Sequence, residues 1–160
     1  MRSSLLLALL LSVLLAIPAQ AARNRVNYAP SASDQEVLRD FERILDLWRE
    51  GRYPELFERT FGGKESVEQF AKRLSAAPRR PACCWEKMQS PQVSVKSERL
   101  AAVRAKLGFE GNVSGTEFVT KWVKLRKEDG LWIIAQSDLY SLANLAKKRY
   151  RYKYLPVQPK

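Results

Sequence analysis

The sequence predicts an α+β fold, with helices packed on one face of a curved antiparallel sheet. Two observations predict it. Up to about residue 76, apolar side chains recur at helical spacing; beyond Pro81 the period changes to two. Turn signals then divide the second half into a meander, so helices come first and antiparallel strands second.

The helical half reads as three elements. Ser33 stands three residues before Glu36, the spacing of a capping box. Val37, Phe41, Ile44, Leu45 and Trp48 then follow with charges between them, which predicts an amphipathic helix over about 34–50. Gly51 stops it. Pro54 suits the first turn of a short second helix in "YPELFERTF", which Gly62-Gly63 ends. Val67, Phe70, Ala71 and Leu74 share one face of a third helix, about 64–76. "APRRP" (77–81) reads as a breaker.

The strand half follows. Val93 and Val95 alternate with polar residues, as do Val103, Ala105, Leu107 and Phe109. "GNVSG" (111–115) is a turn. "TEFVTKWVKLRK" (116–127) is the longest strand candidate, "EDG" (128–130) is a hairpin turn, and "LWIIAQSDL" (131–139) is the returning strand. Asn112-Val113-Ser114 matches a glycosylation acceptor, which matters only on a eukaryotic secretory route.

The start of the chain bears on the compartment. Residues 1–21, "MRSSLLLALLLSVLLAIPAQA", place Arg2 before an apolar run from Leu5 to Ile17 and end in a small-x-small site. That order predicts a signal peptide cleaved after Ala21, and an exported chain, secreted or periplasmic. The run is shorter than the roughly 20 residues a spanning helix needs. The expected organisation is signal peptide 1–21, leader 22–33, α+β domain 34–142 and basic tail 143–160.

Charge is unevenly placed. The chain has 28 basic and 17 acidic residues, a formal charge of +11. Residues 139–160 hold six of the cations and no acid, so residues 22–138 are only mildly basic, with 21 basic against 17 acidic. The tail reads Lys147, Lys148, Arg149, Tyr150, Arg151, Tyr152, Lys153, Tyr154. If extended, its tyrosines lie on one face and Arg149, Arg151 and Lys153 on the other. One reading is an arm for an anionic lipid or envelope polymer, with tyrosines stacking or sitting at a headgroup boundary. For an exported chain, nucleic acid is the less natural partner. The same pattern suits an edge strand whose charges blunt the edge, or a contact for another subunit.

Several chemistries lose their usual groups. The chain contains no histidine, which removes the commonest proton-transfer side chain and any Ser-His or Cys-His pair. There is no Gly-rich phosphate loop and no acidic cluster at ligand spacing. No cofactor or metal is expected, and no residue is assigned as catalytic. Cys83 and Cys84 are adjacent, in "PACCWEK". Free thiols come first in expectation, because adjacent Cα atoms stand about 3.8 Å apart, below the usual bridge range. A vicinal ring, a candidate redox pair, comes second, and an intermolecular bridge third.

The first helix, then "LWREGRYPELFERTF", then "SVEQFAKRL", then "FVTKWVKLRKEDGLWIIAQSDL" resemble the nuclear transport factor 2-like, or cystatin-like, superfamily over about 34–140. The resemblance implies a cone of three helices and a bent sheet of four to six strands, with a pocket between them. It also implies dimerisation through the sheet, so a homodimer is an expected partner state. Trp85, Phe118, Trp122, Trp132, Asp138 and Tyr140 are the candidate pocket residues. Aromatic side chains on strands line a ligand site or simply fill a core. Enzymes of this superfamily, such as ketosteroid isomerase and polyketide cyclases, set an Asp base beside a Tyr or protonated Asp. Asp138, with Tyr53 and Tyr140, is this chain's closest approach to that set. The fold also hosts ligand binders and adaptors. The favoured expectation is a non-enzymatic binding domain, with a pocket enzyme or an interaction subunit as the alternatives.

Overall fold

The computed structural model describes residues 32–111 and 114–145. The expected signal peptide, the expected leader up to residue 31, Asn112-Val113 and the basic tail residues from 146 lie outside them. The element order is α1 (Ala32–Arg49), α2 (Tyr53–Glu58), β1 (Thr60–Phe61), α3 (Val67–Ser75), β2 (Arg79–Pro81), a 3-10 turn (Cys84–Glu86), β3 (Met88–Ser97), β4 (Leu100–Gly111), β5 (Thr116–Glu128), β6 (Leu131–Ala135) and α4 (Gln136–Leu142).

The α1 stripe folds as its spacing predicts. Val37, Phe41, Ile44, Leu45 and Trp48 are all buried. Gly51 takes φ +73 and closes the helix. Its N–H donates to Trp48 O at 3.2 Å, and that of Arg52 to Leu47 O at 3.0 Å. These are the two bonds of a Schellman end, and the positive φ is why a glycine stands there. Pro54 lies in the first turn of α2. Ser66 Oγ accepts from Gln69 N at 3.3 Å and starts α3.

The sheet has six strands in the order β1-β6-β5-β4-β2, with β3 also paired to β4. It is mixed rather than purely antiparallel, because β1 runs parallel to β6, with Thr60 opposite Ile134. The expected second helix therefore ends at Glu58, and Thr60-Phe61 become a strand. "APRRP" is likewise not only a breaker. Arg79–Pro81 pair with Glu110 and its neighbours on one edge of β4. A proline is tolerated on an edge that needs no donor from it.

A further correction concerns residues 131–139. The strand ends at Ala135, and Gln136–Leu142 turn into α4. The described residues hold four helices rather than the expected three, and Asp138 lies in a helix rather than on a strand. The "EDG" turn forms as expected. Asp129 and Gly130 both take positive φ, the pattern of a tight hairpin turn.

The core lies between the helices and one sheet face. Val103, Ala105, Leu107 and Phe109 of β4, and Val123 and Leu125 of β5, point into it. Trp48 and Phe109 pack with ring centroids 5.8 Å apart, and Phe57 and Phe70 at 5.2 Å. Trp132 belongs to the same core, at 3% exposure.

Candidate functional site

Because alternate strand residues face opposite ways, burying the odd-numbered positions of β4 turns the even ones outward. Register then places Arg104 opposite Trp122, Lys106 opposite Thr120, Gly108 opposite Phe118 and Ala102 opposite Lys124. On the other side of β4, Gln92 stands opposite Arg104 and Ser94 opposite Ala102. The outward positions of β4 from Leu100 to Gly108, and of β5 from Phe118 to Arg126, carry four cations and no carboxylate: Arg104, Lys106, Lys124 and Arg126.

Large aromatic groups share this face. Trp122 is 49% exposed and Phe118 37%. The Lys106 ammonium lies 4.1 Å from the Phe118 ring centroid, a cation–π pairing. The 3-10 turn folds against the same side. A Cβ on Gly108 would meet the Glu86 carbonyl oxygen at 2.3 Å, so only a glycine lets that turn approach. Thr116 Oγ1 donates to Glu86 Oε2 at 2.8 Å and fastens the turn to β5. The turn carries Trp85, 72% exposed.

Of the six candidate pocket residues, Phe118 and Trp122 thus share the outer face of β5, and Trp85 is exposed on the turn that seats on that face at Gly108. Trp132 is elsewhere, in the core, where its backbone N–H donates to Asp40 Oδ2 at 3.0 Å. Asp138 and Tyr140 both lie on α4. Asp138 Oδ2 accepts from Lys124 N at 3.1 Å. The Tyr140 hydroxyl donates to Glu65, and the Arg73 guanidinium stands 4.2 Å from its ring centroid. Burial, with the Glu65 acceptor adding to it, pushes the Tyr140 hydroxyl well above the ordinary tyrosine range.

Four clefts lie away from the exposed aromatics. The largest of these four, about 830 Å³, opens at the hairpin end and is lined by Glu36, Val95, Arg99, Lys127, Asp129 and Trp132, among others. Others of about 560, 370 and 310 Å³ lie along α3, beside the β4–β5 turn and beneath Tyr53. In the largest, Lys127 Nζ donates to Glu36 Oε1 at 2.7 Å, and this bond holds the Glu36 carboxyl below its usual range. Among the described residues, no cluster of three Cys, Asp or Glu side chains is placed to hold a metal ion.

Cys83 and Cys84 form a vicinal disulfide, with Cα atoms 3.7 Å apart. This corrects the expectation of free thiols. The pair is not in a strand, where the side chains would diverge. It enters a turn in which Cys84 takes φ +56, so the two sulfurs stay on one side.

Sequence reasoning found the aromatics but missed the cations around them. Arg104 and Lys106 read only as the polar half of an alternation, and Lys124 and Arg126 only as part of the longest strand candidate. The available signal was their common sign: every charged residue at an even position of these two strand stretches is basic.

No protein-family model matches the chain, and no curated protein matches it. No helix among the described residues is long and apolar enough to cross a membrane. Among solved structures, the chain is similar to the CamKII hub homology domain of Chlamydamonas reinhardtii. Identity is 20%, over 66% of this chain and 95% of that one, with a TM-score of 0.41.

Proposed function

We propose that this chain is an exported, non-enzymatic binding domain of the nuclear transport factor 2-like kind, engaging an anionic lipid or polymer of the cell envelope through its surface. One observation carries the reading. The space between the middle of α1 and the sheet is filled by Phe41, Trp48, Phe109 and Leu125, all fully buried, so a ligand is not held there and binding falls to the surface, the open cleft at the hairpin end included. Charge supports the anionic partner, because the strongest excess of cations is in the tail, from Lys147 to Lys153.

The enzyme alternative finds less support. A carbon-acid enzyme needs a carboxylate free to take a proton, with a hydrogen-bond donor aimed at the same substrate. Asp138 accepts from a backbone N–H of β5, and the Tyr140 hydroxyl is committed to Glu65. Self-association through the sheet, which the family resemblance implies, meets a different obstacle. A two-fold contact between outer faces would set the basic face that carries Arg104, Lys106 and Lys124 against the same basic face of the partner.

The test is binding of the chain from Ala22 onward to phosphatidylglycerol vesicles and to soluble polygalacturonate, at low and high salt. Its partner is a variant with Lys147, Lys148, Arg149, Arg151 and Lys153 replaced by Gln. We expect binding to at least one anionic probe, steeply weakened by salt and reduced in the variant. Failure to bind either probe at low salt would overturn the reading.

A further inference from the structure

We infer that the outer face of β4 and β5, together with the Cys83–Cys84–Trp85 turn, docks flat on an anionic lipid bilayer. In that pose Trp85, Phe118 and Trp122 sit at the headgroup boundary, and Arg104, Lys106 and Lys124 meet lipid phosphates. The inference rests on the anionic-partner reading above. It adds a second contact surface, inside the folded domain, and commits the partner to lipid.

The first argument is chemical. Trp85 and Trp122 are the two exposed tryptophans, at 72% and 49%, while Trp48 and Trp132 are buried at 0% and 3%. An indole has an apolar body and one N–H donor, which suits a zone that is apolar on one side and wet on the other. Exposed singly, such residues need no explanation. Phe118 and Trp122 share one sheet face, with Lys106 over the first and Arg104 opposite the second, and Trp85 stands exposed on the turn that seats on the same face at Gly108; patches of this kind mark interaction sites.

The second argument is electrostatic. Arg104 and Trp122 are cross-strand neighbours, as are Lys124 and Ala102, and Lys106 lies over Phe118. The Lys106 ammonium lies over the Phe118 ring and the Arg104 guanidinium reaches toward Gln92 of β3, so cations stand on the same face as the rings, and long basic stems can carry their charge to a surface above such a patch. An anionic lipid surface offers phosphates in a plane, with apolar chains just beneath, which is the same layering.

The third argument is shape. Phe118 and Trp122 are four residues apart on one strand, which spans about 13 Å. The clefts at the hairpin end, along α3, beside the β4–β5 turn and beneath Tyr53 include none of the three aromatics. A threaded polymer is held best by a groove that tracks its backbone. None of these four clefts runs past Phe118 and Trp122, and two exposed rings about 13 Å apart on one sheet face suit a planar partner.

The experiment uses the chain from Ala22 onward, with vesicles of phosphatidylcholine alone, of phosphatidylcholine with phosphatidylglycerol, and of the same mixture with brominated acyl chains. Binding is read by sedimentation and tryptophan quenching by the bromines. The variants are W85A/W122A, R104Q/K106Q/K124Q and the tail with its five cations replaced by Gln.

The parent is expected to bind only the anionic mixture and to be quenched by bromine. W85A/W122A should lose most of the quenching, because Trp48 and Trp132 lie away from the lipid. Each face cation removed should weaken binding about five-fold at low salt. The tail variant should bind less but remain quenched.

The inference falls if the parent binds these vesicles without quenching, or if both face variants bind as the parent does. It also falls if the parent binds polygalacturonate but not vesicles, an outcome that leaves the anionic-partner reading standing. Should W85A/W122A melt far below the parent, quenching of the parent and binding by R104Q/K106Q/K124Q decide.

Discussion

Asp138 Oδ2 accepts a hydrogen bond from the backbone N–H of Lys124 at 3.1 Å. The bond has a topological cause. β6 pairs with β5 only as far as Leu125 opposite Ile134; Ala135 pairs only with Phe61 of β1, and the chain then turns into α4. The N–H of Lys124 has lost its strand partner at that point, and the first turn of α4 brings a carboxylate to it. An orphaned backbone donor is satisfied by the helix that orphaned it.

Asp138→Ala should therefore cost about 1–2 kcal/mol, since it removes a charge-assisted acceptor and an acid from the first turn of a helix. Asp138→Asn keeps an acceptor oxygen and should cost less. Urea unfolding of both variants measures this. A loss of less than a few tenths of a kcal/mol in Asp138→Ala would show that solvent satisfies Lys124 equally well.

Gly108 provides a second stability test. Its missing side chain makes room for the turn that carries the disulfide and Trp85. An added Cβ would meet the Glu86 carbonyl oxygen at 2.3 Å and Thr116 Cγ2 at 2.9 Å. The first of these is backbone and cannot rotate away. Gly108→Ala should cost about 1–3 kcal/mol, the range of overpacked sites. Gly111→Ala meets only the Pro78 carbonyl, at 3.3 Å, and should cost much less. Thermal melts of the pair give the comparison, and equal losses would mean that the turn shifts freely on the sheet.

Much of this architecture was legible in the sequence, and the failures have physical causes. The α1 stripe and the β4 alternation were readable because each has one buried face and one solvated one. α4 was not, because nothing marks its start. Its N-cap is Ala135, which supplies no capping hydrogen bond, and "LWIIA" runs into "QSDL" without a Gly or Pro. β1 is two residues long and was absorbed into the helix before it.

The candidate site failed differently. Size suggested that Phe118 and Trp122 belonged inside, but the sheet buries the other alternate set, with Val123 and Leu125 at its centre. One sequence shows which residues share a face of a strand. It does not show which face the helices cover when both carry large apolar groups.

The cysteine pair yields a chemical prediction. The native protein should show no reactive thiol, and two after reduction. Cross-links stabilise chiefly by closing loops in the unfolded chain, and a bridge between neighbours closes almost none. Reduction, or replacement of both cysteines by Ser, should thus leave the unfolding midpoint in urea nearly unchanged. A large drop would mean that the ring itself holds the turn against Gly108. Thiol titration with and without reductant, followed by urea unfolding of each form, separates these outcomes.

Acid should weaken the fold in part through two glutamates at opposite positions in it. Lys127 Nζ donates to Glu36 at the hairpin end, and this bond lowers the Glu36 pKa below its ordinary 4.5. At the other end, Arg80 Nη2 donates to Glu110 at 3.1 Å and Arg49 at 3.5 Å, and the Arg80 bond is the chief cause of a lowered Glu110 pKa. A carboxyl whose pKa is depressed by folding binds fewer protons folded than unfolded. Its contribution is complete above the unfolded value and disappears as pH falls from about 4.5 through the folded one. Both side chains are about a third exposed, so solvent screens each contribution and keeps it small. Glu36→Gln and Glu110→Gln should each lower the thermal midpoint slightly at neutral pH. They should flatten its decline in acid, so that parent and variants converge at the lowest pH. Added salt should narrow the neutral-pH gap. A gap that stays constant from neutral to strongly acid pH would mean that these carboxylates stabilise the fold by packing and not by charge.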